Sequence, residues 1–293
     1  MEIFSTLIFN GISEGAHIFL MAAGMSIILG LLRVINFAHG TLFLWGAYVF
    51  RTVYVGTGHW LLAIVAATAT GFLLGAIFEK VFISRVYGNA GAQIMITLGL
   101  QIVFTEIVRV IPFWGPSALM VTRPPFLAGL WNFNGIIIVH YRLFLIVVGV
   151  VVAILGHLLL TRSRAGMTIR AGVQNSEMVG ALGINIQRYF TMVYAFGGAL
   201  AGLGGAVFAP LNGTLIPEMG NSVQLLAVIV VIIGGMGSFI GSALGSLLLG
   251  VMMALIGFFI PDIATAAPVA FMALILIFKP EGLFKLGLAV TQK

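Results

Sequence analysis

The chain has 293 residues, 61% hydrophobic and 8% charged, with a mean hydropathy of +1.17. A water-soluble domain needs about a quarter of its residues charged to face water, so this composition excludes a soluble globular protein and makes lipid the solvent. The net charge of +6 comes from 14 Lys and Arg against 8 Asp and Glu, spaced between apolar runs as topology signals at an anionic membrane face and not gathered for nucleic acid.

No cysteine is present, which rules out disulfides and thiolate metal sites. The opening MEIFSTLIFNGISEG has an acidic second residue and no basic n-region, unlike a cleaved signal peptide. About 20 apolar residues cross a bilayer as a helix. That criterion predicts spans at 6–32, 38–55, 60–78, 92–111, 141–160, 191–211, 222–235, 238–259 and 264–278. Two of these, 38–55 and 222–235, are short or glycine-broken, so the count is eight or nine.

In the first span Glu14 and His17 sit three residues apart, inside an apolar stretch where a carboxylate is a functional hypothesis by default. The pair has three readings: tuning of substrate choice, a mutual ion pair, or a position near the outer headgroups. Next comes RVINFAHG, 33–40, in which Asn36 and His39 would share a helix face. Polar groups there need partners or a cavity. They line a path beside a broken helix, or they form a satisfied cluster that fixes a bend. His59 with Trp60 reads as an interface anchor.

The stretch 112–140 carries Pro112, Pro116, Pro124 and Pro125 and reads as a loop against the membrane, with Trp114 and Trp131 at headgroup level. His140 and His157 are isolated and have no metal-ligand spacing.

The longest polar interruption is TRSRAGMTIRAGVQNSEMVGALGINIQRY, 161–189. Asn175 is a good N-cap, Glu177 favours the first turn, and Gly183 suits a left-handed C′ residue with Ile184 reaching back to Val179. A helix over about 176–182 would carry Met178, Ala181 and Leu182 on one face. Such an element either docks a partner or merely joins two spans.

Beyond it, Gly198 and Gly202 make a small-residue row, and Gly237, Gly241 and Gly245 step by four. Both read as close helix packing. No paired carboxylates, nucleophile elbow or metal cluster supports an enzyme active site.

An outer N-terminus places Arg33, Lys80, Arg85, Arg162, Arg164, Arg170, Arg188, Lys279, Lys285 and Lys293 inside. Arg51, Arg109, Arg123 and Arg142 fall outside. Positive charge favours the cytoplasmic side, so the expectation is N-terminus out, C-terminus in.

RAGVQNSEMVGALGIN resembles the coupling loop of bacterial ABC importer permeases. With it, GLLRVINFAHGTLFLWGAYV, AFGGALAGLGGAVFAP, VIVVIIGGMGSFIGSALGSLLLG and KPEGLFK resemble, in order and along nearly the whole chain, the branched-chain amino acid permease family, LivH-type subunit. The resemblance implies an all-α polytopic transmembrane bundle, one domain over 1–293, in the bacterial inner membrane. Its coupling helix would comprise Asn175, Ser176, Glu177, Met178, Ala181, Leu182, Gly183 and Ile184. Path candidates are Asn36, His39, Thr41, Glu14 and His17. The chain departs from the family pattern at Thr41, where an acidic residue is frequent, and at Glu14 and His17, where uncharged residues are usual.

Implied partners are a distinct LivM-type permease chain, two ABC ATPase subunits holding ATP and Mg, and an extracytoplasmic solute-binding protein. No cofactor is implied on this chain. Its lysines are Lys80, Lys279, Lys285 and Lys293, none preceded by glycine, so it has no P-loop. The alternative is an ATP-independent secondary transporter or channel, which needs a membrane charge relay that only Glu14, or Glu106 with Arg109, supplies.

Overall fold

Eleven α-helices occur in the computed structural model, which describes residues 2–284 apart from 33, 35, 134 and 175. They are α1 (Glu2–Leu32), α2 (His39–Thr57), α3 (Trp60–Val81), α4 (Ala90–Val110), α5 (His140–Arg162), α6 (Arg164–Gln174), α7 (Ser176–Ala181), α8 (Ile186–Asn212), α9 (Met219–Gly234), α10 (Phe239–Phe259) and α11 (Ala267–Phe278). Of these, α1, α3, α4, α5, α8 and α10 are long and apolar enough to cross a membrane. The 16 residues of α9 and 12 of α11 give about 24 and 18 Å at 1.5 Å per residue, short of the roughly 30 Å hydrocarbon core.

The proline-rich stretch holds no α-helix, as its composition requires, but it is not featureless. Strand β1 (Leu119–Met120) pairs with β4 (Thr214–Leu215), and β2 (Leu130–Phe133) pairs with β3 (Ile136–Val139), both antiparallel. The all-α expectation is amended by these two small sheets. The β-branched run 136–139 favours a strand, and the turn before it uses Gly135 at φ 86°, its N–H donating to Asn132 Oδ1 at 3.0 Å.

Side chains fix the two ends of the bundle. At the hairpin end, Trp114 Nε1 donates to Thr52 Oγ1 at 2.8 Å and Arg51 Nε to the Met120 carbonyl at 3.1 Å. At the opposite end, Glu79 of α3 accepts from Gln187 of α8, next to α6 and α7.

α1 is apolar all round and runs through the core, with Ile18, Leu20, Ala22 and Ile28 fully buried. Elsewhere in the bundle, α3 and α8 approach each other through glycine. A Cβ on Gly71 of α3 would collide with the Gly198 carbonyl of α8, and one on Gly202 would lie 2.5 Å from the Ala67 carbonyl. The expected row on α8 is therefore a backbone contact.

The expected row on α10 is corrected. Gly241 and Gly245 belong to the helix and face Gly234, whereas Gly237 precedes it, at φ 91° in the α9–α10 turn beside Gly30. Ser238 ends the turn as N-cap, accepting from Gly241 N at 3.0 Å. Of the interleaved serines, Ser242 Oγ bonds Ser26 Oγ of α1 at 3.0 Å, whereas Ser246 Oγ bonds the Ala243 carbonyl of its own helix at 2.8 Å.

Candidate functional site

The sequence set Asn36 and His39 on one helix face. The structure instead puts Asn36 in the turn before α2 and His39 at the first helical position. Asn36 Oδ1 accepts the Ala38 N–H at 3.0 Å, a local bond that competes with helix and ends α1's run. His39 lies against α1, its Nε2 at 2.9 Å from the Met21 carbonyl. A carbonyl only accepts, so Nε2 carries the hydrogen. A Cβ on Gly24 would also meet this ring. Gly24 is eight residues short of Leu32, so α2 begins about 12 Å back along α1.

At this point the N-termini of α2 and α9 meet. A Cβ on Gly40 would collide with the Gly220 carbonyl. Gln224 of α9 clamps the junction: Oε1 accepts Gly40 N–H at 2.7 Å and Nε2 donates to the Asn36 carbonyl at 3.1 Å. All three side chains, Asn36, His39 and Gln224, are buried. The cluster thus ties the break between α1 and α2 to α9, while Asn36 Nδ2 and His39 Nδ1 are buried without a hydrogen-bond partner among the described residues, and it sits on a longer polar seam.

That seam is drawn by α4. Gln93, Thr97, Gln101, Thr105 and Arg109 step by four along one side of an otherwise apolar helix. The buried Thr41 of α2 donates to the Gln101 carbonyl at 3.5 Å. Gln101 Nε2 donates to Asn221 Oδ1 at 2.6 Å. Toward the hairpin end, Arg109 bonds Glu106 at 3.0 Å and also Glu218, just before α9. The relay weighed for Glu106 and Arg109 is therefore a two-carboxylate ion cluster, partly exposed. Sequence reasoning missed Gln101, Glu218, Asn221 and Gln224, although the four-residue polar step on α4 was there to be read.

Glu14 and His17 stand apart from the seam. His17 Nδ1 lies 3.6 Å from Glu14 Oε1, and its buried ring stacks on Phe208 of α8 at 4.9 Å. Among the described residues no hydrogen bond or ion pair joins them to Asn36, His39 or Thr41.

At the other end, α7 closes as its sequence prescribes. Gly183 takes φ 79°, its N–H bonds the Gly180 carbonyl at 2.9 Å, and Ile184 N–H bonds the Val179 carbonyl at 3.4 Å. These two bonds define a Schellman ending. Val179 turns inward and is buried, while Met178, Ala181 and Leu182 face outward. The expected N-cap, Asn175, lies outside the described residues, as do the side chains of Ser176 and Glu177. Upstream, Ser163 Oγ caps α6 by accepting Gly166 N–H at 2.9 Å.

The Gln224 clamp has a measurable consequence. Gln224→Leu leaves a buried N–H and a buried carbonyl unpaired, at roughly 1–3 kcal/mol each. The thermal midpoint in detergent should fall clearly, whereas Gln101→Leu, whose partner Asn221 is exposed, should shift it little. Equal shifts would mean that the clamp holds nothing.

Known proteins are similar to this sequence along most of its length. Residues 7–279 match the family described as branched-chain amino acid transport system / permease component. The chain is 27% identical over 286 residues to the high-affinity branched-chain amino acid transport permease protein BraD of Pseudomonas aeruginosa, covering 94% of this chain and 93% of that one. It is 27% identical over 297 residues to LivH of Escherichia coli, with the same coverage. It is also 28% identical over 299 residues to LivM of Escherichia coli, covering 90% of this chain and 67% of LivM.

Proposed function

The chain belongs to the branched-chain amino acid transport permease family, and on that premise we propose that it is one of two permease subunits of an ATP-driven importer. It carries branched-chain or related amino acids across the bacterial cytoplasmic membrane. The family match along 7–279 carries this reading. The outward apolar face of α7 supports it, because a linker has no need to present Met178, Ala181 and Leu182 on a capped helix.

In this reading the N-terminus is outside, the α7 end is cytoplasmic, and nine helices cross or enter the bilayer. The likeness to both LivH and LivM fits a partner permease built on the same plan. Two ATPase subunits seat α7, and an external binding protein delivers the solute. ATP shifts the population between two pathway states, each open to one side.

The seam has the chemistry an amino acid needs. In exchange for its bonds to Glu106 and Glu218, Arg109 offers a planar donor pair to a carboxylate, and the two released carboxylates offer acceptors to an ammonium group. Deeper in, the converging N-termini of α2 and α9 favour negative charge. Discontinuous helices that meet at a solute path are a recurrent way to expose such backbone dipoles in lipid.

Reconstitution tests the proposal. The chain, its partner permease and the ATPases, purified as a complex into liposomes, should take up labelled leucine only with ATP and binding protein present. Uptake without ATP would favour the secondary-transporter reading instead. The cysteine-free sequence also permits a clean topology test. An impermeant thiol reagent added to intact cells should label Glu2→Cys and spare Ala171→Cys; the reverse pattern inverts the assigned orientation.

A further inference from the structure

Glu79 has no role in the seam, yet it is fully buried in the last turn of α3. It ends a row of four-residue steps, Ala67, Gly71, Gly75 and Glu79, along one side of that helix. The first three positions press on the backbone of α8: Ala67 on Gly202, Gly71 on Gly198, and Gly75 with a Cβ that would lie 2.9 Å from the Tyr194 carbonyl. At Glu79 the small residues stop and a carboxylate takes over.

Three donors from two other segments converge on it. Gln187 Nε2 and the Tyr87 hydroxyl bond Oε1 at 2.6 and 3.1 Å, and the Thr191 hydroxyl bonds Oε2. Among the described residues no basic side chain pairs with it. Burial, and then the Glu79 charge, raise the pKa of the Tyr87 phenol, so it remains a protonated donor at neutral pH. Tyr87 lies between α3 and α4, and its ring also packs on Phe190 of α8 at 5.5 Å. Gln187 is the second residue of α8, four positions beyond the Gly183 that ends α7.

A buried carboxylate without a counter-ion is a poor device for stability alone, since apolar packing would do as well or better. What charge-assisted bonds add is directional stiffness. Here they fall where displacement of α7 first enters the membrane helices. Resting on the importer reading, we propose that Glu79 is a positioning residue that locks the first turn of α8 to the last turn of α3. The two helices then move as one lever. Farther along α8, Gly202 and Gly205 lie against Gly46 and Phe43 of α2, whose first residues carry the seam. The lever therefore links α7 to the α2–α9 junction.

The test uses the whole reconstituted complex and reads solute taken up per ATP hydrolysed, with binding protein saturating. Two variants are compared with wild type: Glu79→Gln, and the double variant Gln187→Leu with Thr191→Val, which keeps the carboxylate but removes two donors. Both should assemble and hydrolyse ATP near the wild-type rate, while uptake per ATP falls on the order of tenfold, within the usual span of a coupling energy. Tyr87→Phe should shift the ratio in the same direction by less. An unchanged ratio in both variants overturns the lock. So does a parallel fall of hydrolysis and uptake, which is the mark of a merely structural residue. Should Glu79→Gln reduce assembly, the double variant decides on the same ratio. A wild-type complex with no ATP-dependent uptake would instead sink the importer reading, and the lever with it.

Discussion

Leu182→Asp should abolish ATP-driven uptake while the chain still reaches the membrane in wild-type amount. Leu182 is 74% exposed and lies on the outward face of α7 with Met178, so little packing within the chain is lost. Under the importer reading, the damage would fall on the ATPase cleft proposed to receive this face. A desolvated interface centre concentrates its binding energy in a few side chains, and an unpaired carboxylate buried there costs several kcal/mol. Uptake normalised to expression should drop at least on the order of a hundredfold, and co-purification of the ATPase should fall with it.

Gly183→Val should reach the same result by another route. Nothing lies within 4 Å of a Cβ at this position, so the substitution meets no wall, yet φ is +79°. A β-branched residue tolerates that conformation poorly, and the two bonds that end α7 open. Gly183→Asn, which accepts left-handed geometry, should restore most of the activity. Wild-type uptake and undiminished co-purification in Leu182→Asp would leave this stretch a plain connection.

Gly241→Leu should yield almost no detergent-stable protein, against near-normal yield for Leu248→Ala. A Cβ on Gly241 would collide with the Gly234 carbonyl and lie 2.6 Å from Ser238 Oγ. A leucine must therefore drive α9 and α10 apart and break the cap that starts α10. Overpacking against backbone has no rotamer escape, unlike overpacking against a flexible side chain. Leu248 is 46% exposed on the outer side of α10, where lipid replaces the lost methyl groups at little cost. Monodisperse yield after gel filtration separates the cases; equal yields would place Gly241 against lipid.

Several of these features were legible in the chain itself. Composition alone made lipid the solvent. The ending of α7 followed from Gly183 and the residues around it, because a cap is made of bonds within five or six positions. The prolines of 112–140 kept that stretch from becoming a helix. The two segments marked as short or glycine-broken, 38–55 and 222–235, proved to be α2 and α9, whose N-termini meet at Gly40 and Gly220.

Tertiary structure decided the partners. Gln224 bonds Gly40 across 184 positions, Gln101 bonds Asn221 across 120, and Gln187 bonds Glu79 across 108. A polar group in oil announces that it must be satisfied, but who satisfies it depends on how each helix is rotated about its axis and where it starts. The same limit explains Gly237, whose four-residue spacing from Gly241 is real while its helix is not. Spacing carries a face only where the backbone is helical, and a positive φ two residues before α10 ends that condition. Sequence by itself thus fixed the solvent, the local caps and the need for polar pairing; the packing of helices against glycine, which sets each helix's rotation, determined which side chains meet.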